Sequence, residues 1–516
     1  MSNDGQTRKV DAKKNKEGQY HVQIAMKDSD NPQYKALVKL ADGREFSSDD
    51  AALASLSKST ASPPTTTATG SASPPAPPVV HESIPPVPIL MGKVDLTGTR
   101  EIALPGAISE VVSAQDGRSL LLYMKETKQV AVFDVIDLKI RGFINVGVDD
   151  ALIAGGSRYL LAASRSNNVI ERFSLQTLQK DKAVTSPFGD FLSFTMGRSS
   201  PNIALIVAQP AGSSFPSITA FDADRMAALT ELPNSRATLS ENHAIVRASA
   251  DGRTFGMMRP DVSPMGFIVL SYRDGALVQS FYQHDTYGLL VPNADGSQIL
   301  SSQAGVYTNQ GVPIIKAHWN WAEGVTYVPS YHPAFFLGVP YDEIPQRKKK
   351  VPPAIGVYST GATQPLLQIP DGFKEMEPAA RQPGRHFDPI SVDQRYHFFP
   401  QLNLILTIPP TNDRIVARAF NLRQALDGKG VDYLYVTSSP PAGKVSTPYH
   451  YQLEAASHSG DVTFSLQSGP KDLSISKGGK VTWTPPSKPA DETVIVSLKD
   501  KSGQELLHTF RVVTVK

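Results

Sequence analysis

The sequence predicts an all-β fold, a seven-bladed β-propeller over residues 89–430 and a small β-sandwich over residues 431–516. Three observations carry this expectation. A strand that ends in an aromatic residue and then a polar one recurs seven times. A tight turn followed by an apolar strand stands upstream of most of these. After residue 430 the pattern changes to clean apolar–polar alternation in five or more short strands.

The aromatic series is Phe133-Asp134, Phe173-Ser174, Phe221-Asp222, Tyr272-Arg273, Tyr307-Thr308, Tyr358-Ser359 and Phe420-Asn421. Successive members lie 35 to 62 residues apart, around the period of roughly 45 residues that marks a propeller blade. A single four-stranded sheet cannot bury both faces, so such sheets stack radially. A large ring at the end of the third strand suits the gap between neighbours. Asp134 has Ser, Asp, Arg, Thr, Ser and Asn as counterparts, which marks it as a strand-end turn residue.

The upstream elements are "DGRSLLLYM", "GGSRYLLAAS", "DGRTFGMMR", "DGSQILSSQ" and "QLNLILTIP". Asp116-Gly117, Asp251-Gly252 and Asp295-Gly296 supply the positive φ of a tight hairpin. They lack the alternating carboxylates of a calcium loop. Residues 88–98, "PILMGKVDLTG", precede the first repeat and are expected to give the last blade its outer strand. The repeats resemble WD-repeat-like and quinoprotein-like propellers of bacteria, with Phe-Asp at 133–134 and 221–222 nearest to the WD dipeptide.

In the C-terminal segment, "YHYQLEA", "DVTFSLQ", "KVTWTPP", "TVIVSLKD" and "HTFRVVTV" alternate as strands. The run Phe464, Gly469-Pro470, Leu473, Ile475, Gly479, Val481, Trp483, Pro485 resembles bacterial putative-Ig and cadherin-like surface modules. That resemblance implies a Greek-key sandwich with Trp483 as a core anchor. Of the acidic calcium motifs of cadherin-type domains only Asp500 remains, so calcium is not expected.

Residues 57–88 are rich in Pro, Ser, Thr and Ala and read as a disordered linker. Before it, residues 1–56 carry "GQYHVQIAM" and "ALVKLADGREF", two stretches of strand character around an Asp42-Gly43 turn. With Arg8, Gly18, Tyr20, Val22 and "KLADGREF" this segment resembles the Sla-one homology domain, a small SH3-like β-module. The resemblance implies a protein-binding adaptor of the endocytic or cytoskeletal kind. Lys9 and Val10 stand where that family usually has an aromatic residue.

The 51 basic and 49 acidic residues leave a net charge of +2, so no overall field recruits nucleic acid. Arg347, Lys348, Lys349 and Lys350 form the one basic run, read as a solvated loop. The chain has no cysteine, which removes disulfides and thiolate chemistry. No apolar run is long enough to span a membrane. The start, "MSNDGQTRKVDAKKNK", has no apolar core of a secretory signal, which points to the cytoplasm; the linker and modular layout point to export.

No nucleophile elbow, zinc-protease helix, phosphate loop or dinucleotide fingerprint is present. The candidate cluster is His284 with Asp285, His318 with Trp319, His332, His386 near Asp388, and His397. Their separations match no ligand spacing, so neither a metal nor a cofactor is expected. Trp319 and Trp321 alternate on one strand, as core cover or as a ledge for a sugar or partner. A long polar loop is expected at 373–389. The resulting expectation is a non-enzymatic modular scaffold that binds protein or surface glycan. The alternatives are a lactonase-like or quinone-dependent propeller enzyme using the histidines, and an adaptor acting through its N-terminal module.

Overall fold

The computed structural model describes residues 87–515, except 214, 234–243, 261–263, 317–322, 343–353, 361, 371, 373–389 and 489. Before residue 87 it describes four short strands. Residues 1–78 and 79–516 form separate compact units. In the first unit Lys13–Lys14 pairs with Tyr20–His21, and Leu37–Lys39 pairs with Glu45–Ser47; the expected Asp42-Gly43 turn lies outside the described residues. Arg8, Gly18, Val22 and nearly all of the expected linker lie outside the described residues.

From residue 99 to 419 the second unit consists of four-stranded antiparallel meanders. Sheet I pairs Glu110–Ala114, Ser119–Met124, Gln129–Asp134 and Lys139–Asn145 in chain order. Sheets II to VI repeat that order over residues 151–185, 190–231, 245–283, 290–316 and 323–369. Sheet VII pairs Tyr396–Phe399, Leu404–Thr407 and Arg414–Ala419, and takes Thr99–Ala103 as its fourth strand.

Burial explains the order within a sheet. In sheet I every residue of Ser119–Met124 is buried, whereas Lys139–Asn145 is largely exposed. An apolar run suits a strand covered on both faces, and lysines such as Lys139, Lys180 and Lys182 guard the outer edges. The first strands of sheets I to VI lie side by side in sequence. A single-turn helix, α1 (Val392–Arg395), leads into sheet VII and touches the first strands of both sheet VI and sheet I. The succession of sheets therefore returns to its start in a propeller-like arrangement.

The aromatic series falls where the spacing placed it. Phe133, Phe173, Phe221, Tyr272, Tyr307 and Tyr358 lie in third strands and are 9% exposed or less. Each packs onto the sheet before its own: Phe133 against Leu404 and Ile415 of sheet VII, Phe173 against Leu121 and Val132 of sheet I. Phe420 sits one residue past its strand and is only part-buried. The polar residue that follows caps the next turn: Asp134 Oδ1 accepts Ile136 N–H at 2.9 Å and Asp137 N–H at 3.0 Å. Asp222 and Ser174 do the same in sheets III and II.

The closing strand differs in place from the expected 88–98. It is Thr99–Ala103, with Thr99 opposite Arg418 and Ala103 opposite Arg414. Gly98, at φ 68°, turns the chain into the sheet edge, and its carbonyl accepts Ala419 N–H at 2.8 Å, so pairing begins only after it.

Beyond α2 (Leu422–Asp427) the chain forms two packed sheets. One joins Thr463–Ser468, Asp491–Lys499, Glu505–Val515 and Gly443–Lys444; the other joins Tyr449–Gln452, Lys480–Trp483 and Ser474–Ile475. Leu434–Val436 pairs separately with Ala455–Ser457. Phe464, Leu473, Val481 and Trp483 meet in the core with Val494, Val496 and Val512. Gly479 has φ 86°, and a Cβ there would stand 2.3 Å from the Leu453 carbonyl oxygen, so glycine is required. Asp500 is spent locally: it accepts from Ser457, Ser502 and Gln504.

Candidate functional site

The first strands converge on the ring axis, and the turns that follow them collect at one end. Those turns are tied together by backbone hydrogen bonds. Gln115 N–H donates to Gly156 O at 3.0 Å, Ser157 to Ser200 at 2.9 Å, Ser199 to Ala250 at 2.8 Å and Ala250 to Ala294 at 2.9 Å. Asp116 N–H also reaches Arg198 O at 3.1 Å, joining sheets I and III, which are not neighbours. Backbone bonds thus tie the turns of sheets I to V together at this end.

Side chains fill the space around these turns. The Arg198 guanidinium lies 4.7 Å from the centroid of the Tyr331 ring, a cation–π contact in a desolvated setting. Tyr331 stacks on Phe399 at 3.9 Å, and its hydroxyl meets His397 Nδ1 at 2.9 Å. Gly117 makes this possible, since a Cβ there would come within 2.5 Å of the Tyr331 ring. Asp116 and Asp251 face Arg198; burial pushes both carboxyls up, and hydrogen bonds from Ser199 and Ser249 respectively draw them back.

Further along the axis, Arg247 of sheet IV donates through Nε to Asp393 Oδ2 at 2.7 Å and through a terminal nitrogen to Ser391 Oγ at 2.9 Å. Ser391 and Asp393 belong to α1 and its N-cap, so this bridge ties sheet IV to the helix that also touches sheets VI and I. Gln394 Nε2 donates to Val111 O at 2.8 Å. Glu110 accepts Ile153 N–H at 3.3 Å. Glu110 is half-buried. Desolvation pushes its carboxyl up to about 7, against the weaker opposing pull of the Ile153 bond, Arg247 and Arg165.

The sequence candidates do not meet as one cluster. His284 lies at the outer edge of sheet IV, its Nδ1 3.0 Å from the Tyr282 hydroxyl; Asp285, beside it, takes Thr286 N–H. His397 is buried, between Tyr331 and Gln394 O at 3.0 Å, and burial lowers it to about 4. His332 follows Tyr331 but points to the C-terminal module, 5.8 Å from the Tyr435 ring. His318, Trp319, Trp321, His386, Asp388 and the run Arg347 to Lys350 lie outside the described residues. Among the described residues no group of three or more His, Asp or Glu is placed to hold a metal ion.

Glu110, Arg198, Tyr331, Arg247 and Asp393 escape a sequence reading. They come from the first strands of sheets I and IV, the turns after the first strands of sheets III and VI, and α1, and acquire meaning only when the fold brings them together. The one local signal is a charged residue, Glu110 or Arg247, in an otherwise apolar first strand.

The strand pairing thus defines an all-β chain of repeated four-stranded sheets in a propeller-like arrangement. No protein-family model and no curated protein matches it. Among solved structures it is similar to the β-propeller domain of Cps50 (Swd1) from Myceliophteria thermophila, at 10% identity over 63% of this chain and 99% of that one, with a TM-score of 0.41. It is similar to the WD40 repeats of RRP9 at 10% identity, over 64% and 99%, with a TM-score of 0.41. It is also similar to hydrazine synthase of Kuenenia stuttgartiensis at 13% identity, over 63% and 99%, with a TM-score of 0.39. Likenesses this distant add nothing to what the strand pairing shows.

Proposed function

We propose that the chain is a modular binding scaffold rather than an enzyme. The seven meander sheets act as blades of one propeller, an Ig-like or cadherin-like sandwich is fixed to it, and the N-terminal unit serves as a Sla-one-type adaptor module. Protein or surface glycan is the partner. One observation carries this: around the first strands, where a propeller enzyme assembles its site from several blades, the polar groups are spent on one another, in the Arg247–Asp393 bridge to α1 and the Asp116–Arg198 backbone bond. The surfaces left for partners are the loop-built rim and the attached module.

The module joins the ring through a common core. Leu422, Leu426, Tyr433 and Ala456 share a core with Phe335, Leu337 and Phe398 of sheets VI and VII. The Tyr435 and Phe335 rings meet edge-on at 4.8 Å. Cross-linking of partners captured by the purified full chain is expected to map to rim loops and the module. Turnover of a lactone or of a quinone-coupled alcohol, abolished by Arg247→Met or Glu110→Gln, would overturn the proposal. A propeller enzyme retains one supporting observation, a Glu110 carboxyl set to exchange a proton near neutrality inside the ring.

A further inference from the structure

Each meander sheet ends in an outer strand whose second row of backbone N–H and C=O groups faces away from the sheet, and native chains guard such rows with charge. Among the described residues, the outer strands of sheets I, II, III, V and VII carry Lys139, Lys180, Glu231, Lys316 and Arg100 respectively. Sheet VI ends in a strand of only three residues, Leu367–Ile369. The exception is Ala276–Gln283 of sheet IV, the longest of them at eight residues and without a charged side chain. No strand lies beyond it in its sheet, and Val278 and Tyr282 are 42% and 43% exposed.

This strand is complementary to itself. A bulge at Ser280, whose Oγ donates to the Val269 carbonyl at 3.1 Å, shifts its register against the third strand. Val278 and Phe281 therefore stand opposite Ser271 and Val269, on one face. Leu277 and Tyr282 stand opposite Tyr272 and Ile268, on the other. Turned about a twofold axis between Gln279 and Ser280, a second copy sets Val278 against Phe281, Leu277 against Tyr282 and Gln279 against Ser280. Apolar meets apolar and polar meets polar, and each apolar pair keeps to one face. The backbone agrees. Tyr272 N–H donates to Arg253 O at 2.8 Å, toward the second strand, so Tyr272 and Ile268 form the non-hydrogen-bonded pairs with Leu277 and Tyr282. Leu277 and Tyr282 thus turn their own N–H and C=O groups outward, as a hydrogen-bonded pair across the axis requires.

We propose that the chain forms a twofold dimer through this edge, the two copies of sheet IV continuing as one antiparallel sheet. A charge in this strand would be brought close to its own copy; the strand has none, and a net charge of +2 sets little long-range repulsion. The Phe281 ring packs against Gly311, too close for a Cβ there, and Val312 beside it is 58% exposed. Val278 of the second copy therefore lands on apolar surface. Strand-to-strand pairing is a small interface beside the ~1,600 Å² of a standard stable one, so the dimer is expected to be reversible. The proposal does not rest on the scaffold reading, although a dimer would give a scaffold two copies of each binding surface.

Sedimentation velocity on the full chain from about 1 to 100 µM tests it. The parent is expected to pass from monomer toward dimer in that range. Val278→Lys combined with Tyr282→Lys gives this edge the lysines that guard its neighbours, and is expected to raise the dissociation constant about tenfold or more. Both side chains are exposed, so the melting temperature should stay at the parent's. Phe143→Lys, at an equally exposed position on the outer strand of sheet I, should leave the dimer intact. Amide hydrogen exchange gives a second readout on the unaltered chain, in which Leu277 and Tyr282 should gain protection as concentration rises. Three results each overturn the proposal: a monomer at every concentration, which leaves the edge to a strand of another protein; a dimer that survives the double substitution; and a dimer weakened equally by Phe143→Lys.

Discussion

Phe133 has no exposed surface and fills the seam between sheets I and VII with Leu120, Leu404 and Ile415. Its truncation leaves a cavity that the flanking sheets cannot close, so Phe133→Ala is expected to cost about 3–5 kcal/mol in urea unfolding. Glu110 makes the opposite kind of contribution. Its folded pKa is raised from 4.5 to about 7, so between those values the folded chain holds a proton that the unfolded chain has released. Stability from this site therefore falls as pH rises through that window, by roughly 3 kcal/mol at most. Glu110→Gln should raise the melting temperature at pH 8 and leave it nearly unchanged at pH 4.5; an unchanged melting temperature at pH 8 would count against a desolvated Glu110.

At the scale of elements, ring closure rests on Thr99–Ala103, the one fourth strand taken from the far end of the chain. Ile102 stands opposite Ile415 and packs on the core shared by sheets I and VII. Ile102→Asp is expected to destabilise by about 1–3 kcal/mol. Hydrogen exchange should show it, through faster exchange along Arg414–Ala419 than along the fourth-strand pairings of sheets II and III. Equal loss of protection in all sheets would mean that the closing strand is not the seam. This strand also shows where local reading stops. A spare strand before the first repeat was legible as a clasp, but its register depended on the turn at Gly98 and the Ala419 bond, which only the folded edge supplies.

At the scale of the molecule, ring and sandwich are joined by a continuous core instead of a linker. His332 lies in that junction and His397 in the first strand of sheet VII beside Tyr331, and burial lowers both from 6.5 to about 4. As pH falls below 6.5 the unfolded chain takes up protons that the folded chain refuses. The stability these residues contribute is thus present above 6.5 and lost toward pH 4, by roughly 3 kcal/mol at most for each. Residues 79–516 are expected to unfold in one calorimetric transition at pH 7.5. Tyr435→Ala, which removes the ring packed on Phe335 and His332, should split that transition into two. Two well-separated transitions in the parent chain would show that the shared core does not couple the modules.

The sequence by itself determined the strands, the meander period and the residues that register it. Those follow from contacts within about 50 residues: an Asp-Gly turn, an apolar second strand, an aromatic residue that must be covered, and a polar residue that caps the next turn. The C-terminal core was legible for the same reason, since Phe464, Val481 and Trp483 alternate on strands that pair locally. Tertiary structure alone decided what occupies the axis and the junction. Arg247 meets Asp393 across 146 positions of sequence, and Ile89 N–H meets Ser439 Oγ across 350. No spacing rule spans such distances, because ring closure sets which charged residues are desolvated together. The histidines seemed to cluster along the chain because five fall within one stretch; the fold sends those it describes to an outer edge, to the axis and to the module junction. Secondary structure obeys short-range periodicity, whereas a site on a ring is set by which sheets face one another, and that is fixed only when the last sheet pairs with the first strand.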